Sequence, residues 1–164
     1  MTDSRIALDL GWKDLDHHVA VLAQQIRQDG VPHVVVGILR GGLIPAVMLA
    51  HRLGVRDVRA VEVTHTTSDV PNAAKSARPM VANPASLGSV DDADVLLVDD
   101  VAGSGQTAAT AVELIAPSAG RLRRAVVVVN TTNWFAASTQ EPHQVHNYLA
   151  TTCTGWVRFP WETL

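Results

Sequence analysis

Cysteine is almost absent from this sequence, since Cys153 is the single cysteine. One cysteine excludes an internal disulfide framework and a zinc site built from cysteines. Long apolar runs are also missing, because no stretch reaches the roughly 18 residues that a membrane-spanning helix needs. The opening residues MTDSRIALDL lack the basic start and apolar run of a signal peptide. We therefore expect a cytoplasmic protein.

Positive charge is not in excess either. The 164 residues include 13 Lys and Arg against 16 Asp and Glu, a formal net charge of −3. This balance disfavours a general basic surface for nucleic acid. Hydrophobic residues make up 47% and charged residues 18%, so a sizeable core can form and global disorder is excluded. The length predicts that residues 1–164 form one domain.

Short apolar runs, separated by segments of helical spacing, predict an α/β fold with a parallel sheet between helices. The predicted strands, most of them almost continuously apolar as in buried strands, are Val34–Leu39, Val58–Val63, Val95–Val98, Val126–Val129 and Tyr148–Thr152. Apolar residues at helical spacing predict helices over Leu15–Ile26, Pro45–Leu53 and Ala108–Ile115.

One long connection, from about Thr66 to Asp92, breaks this alternation. It is rich in Ser, Asp, Asn, Pro and Ala and has no steady period. Connections of this length in a compact domain are usually functional lids or disordered segments. Lys75 and Arg78 are its only basic residues, and we predict that one of them helps to hold an anionic ligand. Solubilising charges are the alternative.

The most informative segment joins a buried strand to a helix. Asp99 and Asp100 follow the strand, and the turn Val101-Ala102-Gly103-Ser104-Gly105-Gln106-Thr107 leads into the helix. Small residues and free backbone N–H groups at a helix N-terminus suit a phosphate. The two carboxylates would repel that phosphate, so they suit sugar hydroxyls or a Mg²⁺ ion.

Two other kinds of phosphate loop fit this turn poorly. A Walker loop requires a lysine that the turn lacks. Residues 103–108 match the dinucleotide pattern G-x-G-x-x-A, but that pattern needs an acid about 20 residues further on. Arg121, Arg123 and Arg124 lie at that distance instead, which disfavours a nucleotide-dependent oxidoreductase.

A second turn, Arg40-Gly41-Gly42, also follows a predicted strand and precedes a helix. An arginine beside paired glycines offers a charged fork and exposed amides, which indicates a second anion site. Both turns then lie at the carboxyl ends of parallel strands, the edge where open α/β sheets bind ligands.

These motifs resemble those of the type I phosphoribosyltransferases. Asp99–Thr107 is similar to their phosphoribosyl-pyrophosphate motif, and Arg40-Gly41-Gly42 is similar to their pyrophosphate loop. The tail Gly155–Glu162 resembles the Trp-x-x-x-Pro-Trp-acid ending of the bacterial xanthine-guanine enzymes, and the resemblance extends from the Trp12 region over nearly the whole chain. It implies a sheet flanked by helices, with a small hood formed by the N-terminal segment and residues 153–164. It also implies Mg²⁺-dependent transfer from phosphoribosyl pyrophosphate to a nucleobase.

The same resemblance implies a role for each residue. The turn of Ala102, Gly103, Ser104, Gly105, Gln106 and Thr107 would hold the 5-phosphate. Asp99 and Asp100 would hold the ribose hydroxyls, with Asp100 also near Mg²⁺, and Arg40, Gly41 and Gly42 would hold the pyrophosphate. Trp156 would stack on the base, and the backbone near Val157 would read its edge. Residues 66–92 would close over the site.

Two positions depart from the 6-oxopurine enzymes that the tail resembles. Gly103 stands where those enzymes place an aspartate, and Thr131 where they place a lysine. Thr131 can still donate to an exocyclic oxygen or accept from an exocyclic amine, and the tail favours a 6-oxopurine. The alternatives are a transferase for adenine or a non-purine base, and a non-catalytic ligand-sensing regulator. The regulator is disfavoured by the net charge and by the lack of room for a DNA-binding domain.

Trp134 and Phe135 follow the fourth predicted strand. If both are exposed there, they offer a large apolar surface of the kind that marks subunit contacts. The resemblance also implies a homodimer or homotetramer.

Overall fold

The architecture is described here from a computed structural model covering residues 6–66 and 75–162, without the side chains of residues 65, 66 and 75–78. The strands are β1 Ile6–Asp9, β2 Val34–Leu39, β3 Asp57–Thr66, β4 Lys75–Val81, β5 Asp94–Ala102, β6 Arg121–Asn130, β7 Tyr148–Cys153 and β8 Trp156–Arg158. The helices are α1 Trp12–Gln28, α2 Leu43–Leu53, α3 Gln106–Ile115, α4 Thr131–Ala137 and α5 Pro142–Val145, with a 3₁₀ turn at Pro84–Leu87.

Six strands form the central sheet in the order β4-β3-β2-β5-β6-β7. All neighbours are parallel except β4, which runs antiparallel to β3. One face packs on α1 and α2 through Leu15, Leu22 and Leu49, and the other packs on α3 through Ala111 and Ile115. The predicted α/β fold with helices on both faces is confirmed.

The connection predicted to lack regular structure contains a strand. Residues of β4 pair with β3 (Val63 with Val81, Thr64 with Met80), and the 3₁₀ turn follows. The apolar pattern did not predict β4 because it is an edge strand of small and polar residues, and Pro79 is tolerated at such an edge. Residues 67–74 and the side chains of Lys75 and Arg78 lie outside the described part of the chain. The lid role of this segment stays a prediction.

Helix α2 begins earlier than predicted. It starts at Leu43, directly after Gly42, so Pro45 is its third residue rather than its first. A proline is accepted there because the first-turn N–H groups of a helix have no intrahelical partner. The earlier start places the helix N-terminus against the Arg40-Gly41-Gly42 turn.

The two ends of the chain meet in a second, small sheet. β1 pairs in parallel with β8, with Ile6 opposite Trp156 and Leu8 opposite Val157. Beyond β8, the rings of Phe159 and Trp161 stack at a centroid distance of 4.6 Å. The expected pairing of the N-terminal and C-terminal segments is confirmed. Within the described residues, no helix is long and apolar enough to cross a membrane.

Candidate active site

Two turns meet where β2 and β5 end. These strands are neighbours in the sheet, with Gly37 opposite Val98, so the residues that follow them are brought together. A Cβ atom on Gly41 would lie 1.8 Å from Oδ2 of Asp100, and one on Gly42 would lie 2.7 Å from the carbonyl oxygen of Val98. Only glycine fits at either position. The structure therefore places the predicted pyrophosphate loop directly against the predicted ribose carboxylates.

The Asp99 and Asp100 carboxylates each accept a hydrogen bond from the backbone. Oδ1 of Asp99 accepts from the Asp100 N–H at 3.0 Å, and Oδ1 of Asp100 accepts from the Val101 N–H at 2.8 Å. Among the described residues, neither takes part in an ion pair. Burial raises the pKa of Asp99 well above its usual value, and repulsion by Asp100 adds to the increase. Burial also raises the pKa of Asp100, and the charge of Glu162 in the tail adds to it.

This carboxylate pair fits a Mg²⁺ ion that is bound together with the substrate. Carboxylate oxygens are the hard ligands that Mg²⁺ prefers, and a nearby cation would offset the cost of two buried negative charges. The part of the chain that the structure describes contains no cluster of three or more His, Cys, Asp or Glu side chains suited to a metal. A Mg²⁺ ion at Asp100 would therefore take its other ligands from substrate oxygens and water, as Mg²⁺ usually does.

The predicted phosphate turn depends on Gly105. Its φ of 78° lies in the left-handed region, and a Cβ atom there would lie 2.9 Å from the ring of Trp134. Helix α3 begins at the next residue, Gln106, so the free N–H groups of its first turn face this end of the sheet. The turn thus combines a small-residue backbone with a helix N-terminus.

Trp134 is buried, so it does not meet the condition of exposure on which the predicted subunit contact depended. Its side chain is 1% exposed, packs beneath Gly105, and donates its indole N–H to the Gln140 carbonyl at 2.7 Å. Phe135 is 51% exposed, as expected. The difference between Trp134 and Phe135 follows from α4, which places two successive side chains on different sides of the helix. Trp134 packs against the predicted phosphate turn, and of these two residues Phe135 alone can serve as apolar contact surface.

Three consecutive side chains at the start of α4 attach the tail to the sheet. Asn130 donates to the Gly155 carbonyl at 2.8 Å, Thr131 to the Cys153 carbonyl at 3.0 Å, and Thr132 to the Thr154 carbonyl at 3.0 Å. We call Asn130, Thr131 and Thr132 the tail clamp. Sequence reasoning missed the roles of Asn130 and Thr132, although a polar run at a strand end was the available signal.

The predicted base-binding residues lie beside this clamp. Trp156 is half-buried on β8, directly after the clamped segment, while the Val157 side chain is 6% exposed and packs in the core. Only the Val157 backbone is left to read a base. The Thr131 hydroxyl donates its hydrogen bond to the Cys153 carbonyl, so toward a ligand it can act only as an acceptor.

Asn133 is a further residue at this site that sequence reasoning missed. A Cβ atom on Gly103 would lie 3.6 Å from Cβ and 3.7 Å from Nδ2 of Asn133, which is exposed. An amide therefore lies beside the position where the resemblance expects an aspartate. Arg40, at the other side of the site, is exposed, and the Leu39–Arg40 peptide bond is cis.

Comparisons with known proteins agree with this geometry. Residues 11–163 match the family described as phosphoribosyl transferase domain. The xanthine-guanine phosphoribosyltransferase of Gluconobacter oxydans is 30% identical over 155 residues, covering 93% of this chain and 82% of that protein. A purine phosphoribosyltransferase from Pyrococcus horikoshii has a TM-score of 0.76 and 28% identity, covering 96% of this chain and 94% of that one.

A third similar structure is a hypothetical protein from Neisseria gonorrhoeae with bound ppGpp. Its TM-score is 0.75 at 22% identity, covering 98% of this chain and 92% of that one, so it supports the fold alone. The family match spans nearly all of the chain and includes both glycine turns, the acidic pair and the tail. The chain therefore belongs to the phosphoribosyltransferase enzyme family.

Proposed function

We propose that this protein transfers the phosphoribosyl group of phosphoribosyl pyrophosphate to a 6-oxopurine with the help of Mg²⁺. A ring nitrogen of the base forms a bond to the anomeric carbon as the bond to the diphosphate oxygen breaks, and the proton of that nitrogen leaves with the diphosphate. The products are a nucleoside 5′-monophosphate and pyrophosphate. The observation that carries the proposal is the contact between Gly41 and the Asp100 carboxylate, which unites the two turns at the ligand-binding edge.

The reaction needs charge stabilisation more than covalent catalysis. Loss of the diphosphate leaves positive charge on the ribose ring and gathers negative charge on the leaving group. Arg40 and the N–H groups of Gly41 and Gly42 are the donors offered to that diphosphate. A Mg²⁺ ion held near Asp100 would supply further positive charge to the leaving group.

Asp99 and Asp100 are assigned to the ribose. Both carboxylates are held in place by backbone N–H groups and keep acceptor lone pairs for two hydroxyl donors. Their low exposure excludes water, which strengthens these hydrogen bonds and the attraction to the positive ring. The 5-phosphate lies against the turn Ala102–Thr107 and the N-terminus of the ten-residue helix α3.

The preference for a 6-oxopurine rests on the Gluconobacter oxydans relative and on the tail. Trp156 offers a stacking face, and the Val157 backbone offers polar groups to the edge of the base. Asn133 takes the place of the expected aspartate and can donate from its amide to a purine acceptor.

Adenine is the second candidate, and one observation favours it. The Thr131 hydroxyl already donates to Cys153 and is left as an acceptor, which suits the exocyclic amine of adenine better than a 6-oxo group.

The deciding experiment is a side-by-side assay of adenine, guanine, hypoxanthine, xanthine, uracil and orotate with phosphoribosyl pyrophosphate. We expect turnover of 6-oxopurines that stops when EDTA removes Mg²⁺. Asp100→Asn should reduce turnover at least a hundredfold, comparable with loss of an electrostatic donor. The control Asp92→Asn, at an exposed acid on the opposite edge, should not. Exclusive use of adenine or a pyrimidine would exclude the 6-oxopurine assignment.

We further propose an even homo-oligomer in the cytoplasm, with Phe135 in a subunit contact and residues 66–92 closing over the ligand. Phe135→Ser should lower the mass in light scattering if this contact forms.

Replacing Lys75 and Arg78 together with alanine should lower turnover more than ground-state binding. Unchanged kinetics would assign them a solubilising role.

A further inference from the structure

A second pocket lies on the flank of the sheet, between α3 and the α4–α5 segment. It has a volume of about 330 Å³, and its polar lining consists of Ser104, Gln106, Arg124, Ser138, Gln140 and Gln144. Arg124 is the single charged residue among the described residues that line it. The pocket is large enough for a small ligand.

This pocket is distinct from the candidate active site. None of Arg40, Gly41, Asp99 and Asp100 lines it. Arg124 stands six residues before the end of β6 at Asn130, which is roughly 20 Å along the strand from the carboxyl edge. The pocket and the proposed 5-phosphate turn share Ser104, Gly105 and Gln106, so the two places lie on either side of that turn.

Arg124 carries a charge that the described part of the chain does not neutralise. Its side chain is half-buried, and none of the hydrogen bonds or ion pairs of the described residues involves its guanidinium. Burial lowers its pKa, so the charged form is disfavoured as it stands. The adjacent Arg123 shows the contrast, because its guanidinium bonds to Asp94, the Gly30 carbonyl and Tyr148. A half-buried cation without a partner gains most from an anionic ligand.

The oxygen atoms of several other polar side chains in the pocket already accept backbone hydrogen bonds, so these side chains can offer mainly donors to a ligand. Oε1 of Gln144 accepts from the Glu141 N–H at 2.9 Å, and Oγ of Ser138 accepts from the Gln140 N–H at 3.1 Å. Oγ of Ser104 accepts from the Gln106 N–H at 3.5 Å. The amide hydrogens of Gln144 and both hydroxyl protons remain for a ligand. An arginine fork with several further donors suits the three oxygens of a phosphate better than the two of a carboxylate.

We propose that this pocket binds a small phosphate monoester, no larger than a nucleoside monophosphate, at a site separate from the active site. The ligand regulates the enzyme, because Ser104, Gly105 and Gln106 line the pocket and also belong to the turn proposed to hold the 5-phosphate, and the Trp134 ring that packs on Gly105 lines the pocket as well. This regulatory half rests on the proposed function, whereas the binding half rests on the pocket alone.

The test is calorimetric titration of the whole protein with GMP, guanosine and inorganic phosphate. Wild-type protein should bind two GMP molecules per chain, one at each site, and phosphate should compete at the pocket while guanosine should not. Arg124→Met should weaken the pocket site at least tenfold, which is the order expected from losing a charge-assisted pair. Ala109→Phe should abolish it, because Ala109 lines the pocket and a phenyl ring would fill it.

The matched control is Arg121→Met, an arginine on the same strand that lies 3.6 Å from Asp94 and does not line the pocket. It should bind two GMP molecules. Unchanged GMP stoichiometry in both Arg124→Met and Ala109→Phe overturns the proposal, and so does guanosine binding as tightly as GMP. If Arg124→Met does not fold, Ala109→Phe decides.

The two proposals fail in different ways. Loss of the proposed function appears as no turnover and no binding of phosphoribosyl pyrophosphate, while the Arg124-dependent GMP site persists. Loss of the pocket proposal leaves turnover and one GMP site that does not depend on Arg124. Regulation requires that GMP inhibition be partly noncompetitive with phosphoribosyl pyrophosphate and become purely competitive in Arg124→Met.

Discussion

The two ends of β5 both carry acidic residues, but the one at the amino end forms an ion pair, and those at the carboxyl end form none within the described part of the chain. At the amino end, Asp94 accepts from Nε and Nη2 of Arg123 at 3.0 and 2.7 Å, and Arg123 also contacts the Tyr148 hydroxyl. That hydroxyl in turn donates to Asp29 at 2.9 Å. At the carboxyl end, Asp99 and Asp100 accept hydrogen bonds from the backbone, and neither forms an ion pair with another described residue.

The difference indicates that the amino end of β5 contributes to stability, whereas the carboxyl end is suited to binding a ligand. The amino end neutralises its charges within the chain, so nothing further is needed there. The carboxyl end retains two acids with raised pKa values, an arrangement that lowers stability and is typical of functional sites. A ligand that brings hydroxyl groups and a cation relieves that cost.

The largest loss of stability should come from breaking the ion pair between Asp94 and Arg123 at the amino end of β5. Asp94→Asn leaves the Arg123 side chain, which is 2% exposed, without its anionic partner. Removing one member of a buried pair destabilises by about 3–5 kcal/mol. Urea unfolding should show that loss in the free energy of unfolding, and Asp92→Asn should show almost none. A loss below about 1 kcal/mol would mean that the amino end does not depend on this pair.

Replacing an acid at the carboxyl end of β5 should instead increase the free energy of unfolding. Folding raises the pKa of Asp99, so the ionised form is disfavoured in the native state as the pH rises above its unfolded value of about 4. Asp99→Asn removes that penalty and should raise the free energy of unfolding at pH 7. The gain should vanish as the pH falls below about 4, because Asp99 is then protonated in both the folded and the unfolded state. A destabilised variant at pH 7 would contradict the comparison.

His146 tests whether an unpartnered buried group always marks a ligand site. It is 1% exposed, neither ring nitrogen has a partner among the described residues, and burial lowers its pKa to about 4. Because the unfolded ring protonates near pH 6.5, stability should fall by about 3 kcal/mol between pH 6.5 and 4.

His146→Phe should remove this part of the pH dependence and keep full activity at pH 7, because a phenyl ring preserves the packing on Trp134 and the imidazole has no hydrogen bond to lose among the described residues. Urea unfolding at pH 7 and pH 4.5 measures the difference. The same pH slope in variant and wild type would show that His146 is not the group responsible.

Crowding the contact between the two turns should impair the active end while sparing the other. A methyl group on Gly41 must displace the Asp100 carboxylate, so Gly41→Ala should lower kcat/KM at least tenfold, or about 1.4 kcal/mol. Gly11→Ala is the control, since it lies outside the candidate site and its new Cβ would meet only the end of the exposed Asp14 side chain at 3.3 Å. Equal losses in both variants would place the effect in general backbone strain.

The smallest effect should arise in the tail clamp. Thr132→Val removes one hydrogen bond to the Thr154 carbonyl, which is worth about 1 kcal/mol. Because that bond precedes Trp156, the KM for the base should rise while the KM for phosphoribosyl pyrophosphate stays unchanged. Thr152→Val, at an exposed position of β7, serves as the control. A rise in both KM values would show that the clamp supports the whole edge.

The predictable part of the structure follows from local chemistry. Continuous apolar runs predicted β2, β5 and β6 because strands covered on both faces need apolar residues throughout. Strand β4 escaped prediction because its position at the sheet edge places no such demand on it. Asn133 was missed for a different reason. A single asparagine forms no recognisable sequence pattern, and only the fold places it beside Gly103.

The sequence by itself determined the fold class and the two glycine turns, because periodicity and small residues act over short stretches of chain. Tertiary structure alone decided what those turns face. It brought Gly41 against Asp100, buried Trp134 beneath Gly105, and joined Thr131 and Thr132 to a segment more than 20 residues away. It also turned Arg123 toward Asp94 while leaving Arg124 in an open pocket. Contacts between distant residues depend on how helices and strands pack, and no local spacing encodes them.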